Sequence, residues 1–154
     1  MSYVGECALD SDIRVIRLEP SFKTDRLRVP LKFGRVVVAD STSLLVKATV
    51  ENRRGDVSEG FGSMPLIDQW AFPDPAISHE KKLRAMMLIG EKACKFLEKR
   101  ASRKYAHPVD IMLTAKDDIV KIAKEARKEV ALEADMPILG VLVATSPIDA
   151  ALHD

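Results

Sequence analysis

The residues able to do chemistry in this 154-residue chain are few and scattered. Three histidines, His79, His107 and His153, have no partner at i+4, there is no Cys-x-x-Cys pair, and the carboxylates spread over predicted helix surfaces. That spacing offers no metal centre held by this chain. Cys7 and Cys94 lie far apart, and Cys94 falls on the apolar side of a predicted helix, which fits a buried free thiol better than a disulfide or a nucleophile. "GFGSM" at 60–64 is not a nucleophile elbow, because phenylalanine precedes the small residues and Met-Pro follows. Its "GFG" also lacks the third glycine and the following helix of a dinucleotide loop. A self-contained active site is not expected.

Charge is uneven along the chain. Arg14, Arg17, Lys23, Arg26, Arg28, Lys32 and Arg35 stand against only Glu19 and Asp25 in the same stretch. Two readings are open: solvated strand and loop charges, or a positive potential that draws in a small anion. Phe22, Phe33, Phe61, Met64 and Trp70 gather in two stretches that read as irregular. They either pack those stretches onto the domain or line one wall of a pocket.

These residues must be held by a fold, and the bulk numbers bound it. Lys plus Arg number 24 and Asp plus Glu 23, a net charge of +1, which argues against a nucleic-acid partner. A composition 47% hydrophobic and 31% charged excludes a disordered chain. The N-terminus has no basic segment followed by an apolar run, and no stretch reaches the roughly 18 apolar residues of a membrane span, so a cytoplasmic protein is expected.

Strand signals run from Ile13 to Glu59. "IRVIRLE" alternates imperfectly; "RVVVAD" follows, and "KATVE" and "VSEGFG" flank the turn signal "NRRGD". Residues 20–34, with two prolines, read as a long loop, and residues 60–76 as a second irregular stretch. From Ser78 the period becomes helical. Leu83, Met87, Gly90, Cys94, Leu97 and Ala101 form one stripe, capped by Ser78. Ala115, Ile119, Ile122, Ala126 and Val130 form a second stripe after Pro108. A third helix starts near Pro137, breaks at Ser146-Pro147 and restarts. The predicted class is α+β: a three- to four-stranded antiparallel meander followed by a three-helix bundle.

The order of these features resembles the N-terminal capping domain of the enolase superfamily, in the branch of mandelate racemase and muconate lactonizing enzymes. The most specific match is "PIDAALHD", which fits an Ile-Asp-x-Ala-x-x-Asp helix at Ile148, Asp149, Ala151 and Asp154. "GDVSEGFG" is a partial match, with the order Glu59-Gly60-Phe61-Gly62. The resemblance implies a tail at 1–11 and a capping domain at 12–136, with its sheet at about 12–62, a linker at 63–77 and helices at 78–136. A helical segment at 137–154 would then lead toward a β/α barrel that this sequence does not contain.

In that family the barrel carries the lysine and histidine bases and the acidic ligands of a magnesium ion. A base removes the proton next to a substrate carboxylate, and magnesium stabilises the resulting enediolate. Racemases, dehydratases of acid sugars and hydroxy acids, and cycloisomerases share this chemistry. The cap shapes specificity through the loop after its first strand and the loop after its hairpin. Here these map to 20–34 and 60–64, which makes Phe22, Arg28, Lys32, Phe33, Phe61 and Met64 the expected substrate contacts. No catalytic group, metal or other cofactor is expected on this chain itself; Mg2+ is expected in the complete enzyme. The implied partners are a small anionic carboxylate substrate and a second copy of the chain, with no nucleic acid and no membrane. Leu139, Val143, Ile148 and Leu152 are expected to be exposed where the barrel would pack. The alternative is a free-standing α+β binding or dimerisation module.

Overall fold

The computed structural model describes residues 8–34 and 36–154. Cys7 and Arg35 lie outside them, as does the side chain of Phe33. Among the described residues three antiparallel strands, β1 (Ile13–Phe33), β2 (Val36–Asn52) and β3 (Val57–Pro65), form one sheet in the order β1-β2-β3. A four-residue helix α1 (Asp68–Ala71) and three long ones, α2 (His79–Ala101), α3 (Pro108–Val130) and α4 (Ile138–His153), follow. The predicted α+β class is the class observed, with the short α1 added inside the expected linker.

The imperfect alternation of "IRVIRLE" has a structural cause. Val15 pairs with Val50 and Arg17 with Thr49, so Ile16 is an extra residue in the ladder. Such a bulge reverses the side-chain parity. Val15 and Leu18, three apart, therefore both reach the core while Ile16 stays 43% exposed. The turn after β2 is as the sequence requires: Gly55 has φ +87°, and the Asn52 side-chain oxygen accepts from the backbone N–H groups of Arg54 and Asp56.

Of residues 20–34, expected as a loop, 20–33 continue β1 as a strand, paired with β2 on either side of an irregularity at 27–30. β1 is an edge strand, where proline costs little because its missing N–H faces away from the ladder. Pro30 is absorbed differently. The register passes from Arg26–Asp40 to Leu31–Val38, so residues 27–30 bulge out opposite Ala39. Gly34, at φ +59°, turns the chain back.

The core lies between one face of the sheet and the helices. Leu44, Val46 and Ala48 alternate inward from β2 and meet Met86, Ile89 and Leu97 of α2 and Ala144, Ile148 and Ala151 of α4. Of the expected α2 stripe, Gly90, Cys94, Leu97 and Ala101 are buried, while Leu83 and Met87 are half-buried and Ala85, Met86 and Ile89 take the inner places in the first half of the helix. α3 packs on α2 and α4, burying Ala115, Ile119, Ile122 and Ala126 as predicted. Ser78 caps α2 by accepting from the Lys81 N–H at 3.3 Å.

α4 differs most from expectation. It does not break at Ser146-Pro147 but runs through it. Pro147 has no N–H to offer the Val143 carbonyl, and the Ser146 hydroxyl donates there instead at 3.0 Å. Val143, Ile148 and Leu152, expected on the surface, are buried because this side of α4 faces the sheet. Ile138, Leu139 and Leu142 are the exposed ones. α4 approaches closely because β3 presents Gly60 and Gly62. A Cβ on Gly60 would collide with the Ala151 carbonyl, and one on Gly62 with the Pro147 carbonyl. Asp154 then accepts from the Phe61 N–H at 3.0 Å.

Two outcomes follow. Gly62→Ala should cost at least about 2 kcal/mol in urea unfolding, because the obstacle is helix backbone that cannot rotate away, whereas Phe61→Ala, at an exposed site, should stay within about 0.5 kcal/mol. Asp12 is buried and accepts from Arg53 Nε at 2.9 Å and Nη2 at 2.7 Å. The Arg53 hydrogen bonds, then the Leu9 N–H, hold its carboxyl below the usual range. Stability from a lowered carboxyl is present above its ordinary value and lost as pH falls through the native one. Asp12→Asn should therefore lower the unfolding midpoint at neutral pH and flatten its decline toward about pH 3.

Candidate functional site

β3 stops at Pro65, which pairs with Ser43, while β1 and β2 continue beyond it to Phe33 and Val36. The outer part of the β1–β2 hairpin is therefore a two-stranded arm standing clear of β3, about 20 Å long at roughly 3.3 Å per residue. None of its described residues is buried. Thr24 and Thr42 share a side-chain hydrogen bond of 2.8 Å at its root.

The pairing fixes which side chains share a face. Phe22, Leu44 and Met64 are opposite one another across the three strands. Leu44 is fully buried, so Phe22 and Met64 flank it on the inner face, and both are half-buried against the core. Continuing along that face come Thr24 with Thr42, Arg26 with Asp40, and Leu31 with Val38. Lys32 pairs with Val37 and Phe61 with Lys47, on the opposite parity and hence the outer face. Phe61 is 59% exposed there. The fold thus brings Phe22 and Met64 together, sets Arg28 in the 27–30 bulge of the arm, and turns Lys32 and Phe61 away. The Phe33 side chain lies outside the described part.

Sequence reasoning passed over Arg26. The available signal was the period of two through Phe22, Thr24 and Arg26, hidden once residues 20–34 were read as a loop. Arg26, Arg28 and Lys32 enter no ion pair among the described residues, whereas Arg17 and Lys23 are held by Glu19 at 3.1 Å and Asp25 at 3.0 Å. The arm therefore presents cationic side chains, with Leu31 and Val38 beside Arg26, above an apolar row. Such a surface can grip a small anion that also carries some apolar area.

The opposite end of the sheet is built for rigidity. Glu51 accepts from Arg14 at 2.8 Å and from the Tyr105 hydroxyl at 2.6 Å. The Arg14 and Arg53 guanidiniums lie 5.7 and 5.3 Å from the Tyr105 ring centroid. Hydrogen bonds from Arg14, then Tyr105, lower the Glu51 carboxyl, and the bond to Glu51 raises the Tyr105 hydroxyl. Below the sheet, buried Asp68 binds His79 Nδ1 at 2.6 Å and the buried Lys82 ammonium at 3.2 Å, and Lys82 also donates to the Phe72 carbonyl at 3.0 Å. This cluster pins the segment after β3 to α2.

The described residues bring together no group of three His, Cys, Asp or Glu side chains able to hold a metal ion. No helix among them is long and apolar enough to cross a membrane.

No family model matches the chain, and comparison with curated proteins finds no match. Among solved structures, a substrate-liganded complex of the L-Ala-D/L-Glu epimerase from Bacillus subtilis matches with 16% sequence identity and a TM-score of 0.43, over 91% of this chain and 30% of that one. This chain spans 30% of that protein's length.

Cys94 is wholly buried on α2, and burial, then Glu98 and Glu91, pushes its thiol up to about 12. A thiol so placed is not a nucleophile at neutral pH. Peptide mapping after treatment of the folded chain with a maleimide should find Cys94 unmodified, with labelling appearing only in denaturant.

Proposed function

We propose that this chain is the substrate-capping part of a cytoplasmic enzyme of the mandelate racemase and muconate lactonizing branch. The parent reaction is abstraction of the proton alpha to a carboxylate with magnesium assistance, on an acid sugar or hydroxy acid, as in a racemase or dehydratase. The bases and metal ligands belong to a barrel outside this sequence, and this chain contributes selection of the substrate.

The observation that carries the reading is the arm. Its unpaired cations stand above the Phe22–Leu44–Met64 row, at the end of a sheet whose other end is tied down. That division suits a part that must close over a ligand while its root stays fixed. The "PIDAALHD" resemblance supports it, since Ile148 and Ala151 are core positions and Asp154 caps the edge of β3. In this role Phe22, Met64, Arg26 and Arg28 face the substrate's distal end, where a guanidinium meets a carboxylate or hydroxyl and the apolar row excludes water.

Deuterium exchange into mandelate, lactate and gluconate should be undetectable with this chain alone. The reading frame should continue past Asp154 into repeating strand–helix units. In the resulting longer protein, Arg26→Ala should raise KM about tenfold, equivalent to about 1.4 kcal/mol of binding, while Lys32→Ala on the outer face stays within about twofold. Exchange by the isolated chain, or a stop codon directly after Asp154, would remove the reading.

A further inference from the structure

A hollow of about 370 Å³ opens where α2 ends and α3 begins, lined on its apolar side by Ala101, Ala106 and Ile111. Ala101 and Ile111 are buried, and Ala106 packs against the core. Four charged side chains, Arg53, Arg100, Lys104 and Asp110, complete its border. Two of them are already matched. Arg53 is held by Asp12 at 2.7 Å, and Arg100 by Asp118 at 2.8 Å and by the Thr114 carbonyl at 2.9 Å. Lys104 and Asp110, both exposed, enter no ion pair among the described residues, either with each other or with another group.

We propose that this hollow binds a free apolar amino acid as its zwitterion, with the carboxylate on Lys104 and the ammonium on Asp110. Charge selects the two head groups. A ligand of one sign would satisfy Lys104 or Asp110 and meet like charge at the other. A zwitterion satisfies both, and its zero net charge suits a border whose arginines already have carboxylates. The apolar lining selects the side chain, which leaves water against two alanines and an isoleucine. A hollow of this volume falls within the range of small-molecule sites. It is also fixed before any ligand arrives. Ile13 and Ala106 exchange backbone hydrogen bonds of 3.0 Å in both directions, tying β1 to the segment between α2 and α3. Binding then orders little more than the Lys104 and Asp110 side chains. Arg53 follows the Asn52 end of β2, whereas the arm is built on its Val36 end. The hollow is therefore separate from the surface assigned to the lid.

Isothermal titration of the chain with L-leucine and with L-phenylalanine should give saturable binding, with a Kd of about 1 mM or tighter. N-acetyl-leucine has lost the ammonium and leucinamide the carboxylate, so each should bind about tenfold more weakly than leucine. Two variants assign the head groups. Asp110→Asn should bind leucine and N-acetyl-leucine alike while still rejecting leucinamide. Lys104→Met should bind leucine and leucinamide alike while still rejecting N-acetyl-leucine. Both positions are exposed, and circular dichroism should show an unchanged fold. General loss of structure would not exchange one preference for the other. The proposal is overturned if neither amino acid binds saturably, if leucine and its two derivatives bind equally, or if the variants keep the original preferences. None of these results bears on the lid reading, which the exchange assay and the reading frame decide separately.

Discussion

Backbone-to-backbone contact between α4 and β3 is the constraint on which this architecture turns. Helices ordinarily stand off a sheet by the depth of two side-chain layers; at Gly60 and Gly62 one of those layers is missing. The helix can then lie low enough for Ile148 and Ala151 to enter the core, and for Asp154 to reach the Phe61 N–H. On the other edge Glu98 of α2 accepts from the Leu18 N–H at 2.8 Å. Both edges of a three-stranded sheet thus meet a carboxylate from a helix. An unpaired strand edge invites another chain, and a negative charge placed on it discourages that pairing. Low seating of α4 is therefore both a packing solution and a guard against sheet-to-sheet aggregation.

Electrostatic satisfaction is distributed unequally. At the base Arg53 pairs with Asp12 while Arg14 and Tyr105 share Glu51, leaving Arg14 Nε buried without a hydrogen-bond partner among the described residues, and under the linker Asp68 is shared by Lys82 and His79. Buried or half-buried polar groups tied together by such hydrogen bonds rigidify what they join. Toward the arm the pairing thins out, ending in cations with no protein partner among the described residues. An exposed guanidinium is well solvated and costs the fold almost nothing, yet it gains when a ligand removes it from water beside a carboxylate. The charge imbalance legible in the sequence at 14–35 is thus resolved in space: Arg14, Arg17 and Lys23 enter ion pairs, whereas Arg26, Arg28 and Lys32 enter none among the described residues.

How much could be read in advance depended on what each signal encodes. The α+β class, the hairpin turn at Gly55, the Ser78 cap and the α3 stripe were legible because each is a local preference of a few neighbouring residues. The arm was not, because proline argues against a strand only in the interior of a sheet, and edge position is a tertiary property. Pro147 misled for a similar reason: whether a helix breaks there depends on who satisfies the Val143 carbonyl, and a serine one residue earlier did so. The bulge at Ile16 left a visible trace in the alternation of "IRVIRLE", but a trace of irregularity does not say on which strand the extra residue lies. For the proposed site, residue type was the readable part. Facing was not, and it separates Phe22 and Met64 from Phe61, and Arg26 from Lys32.

On β2 the last buried side chain toward the arm is Leu44, and on β1 it is Leu18. Past Thr42, whose carbonyl accepts from the Leu66 N–H, the two strands of the hairpin pair only with each other. Rungs can consequently be added to or removed from the hairpin two at a time, one on each strand, without opening a void or exposing a core residue. Evolution has here an adjustable reach, one whose length can drift to suit ligands of different size while the rest of the molecule is inherited unchanged.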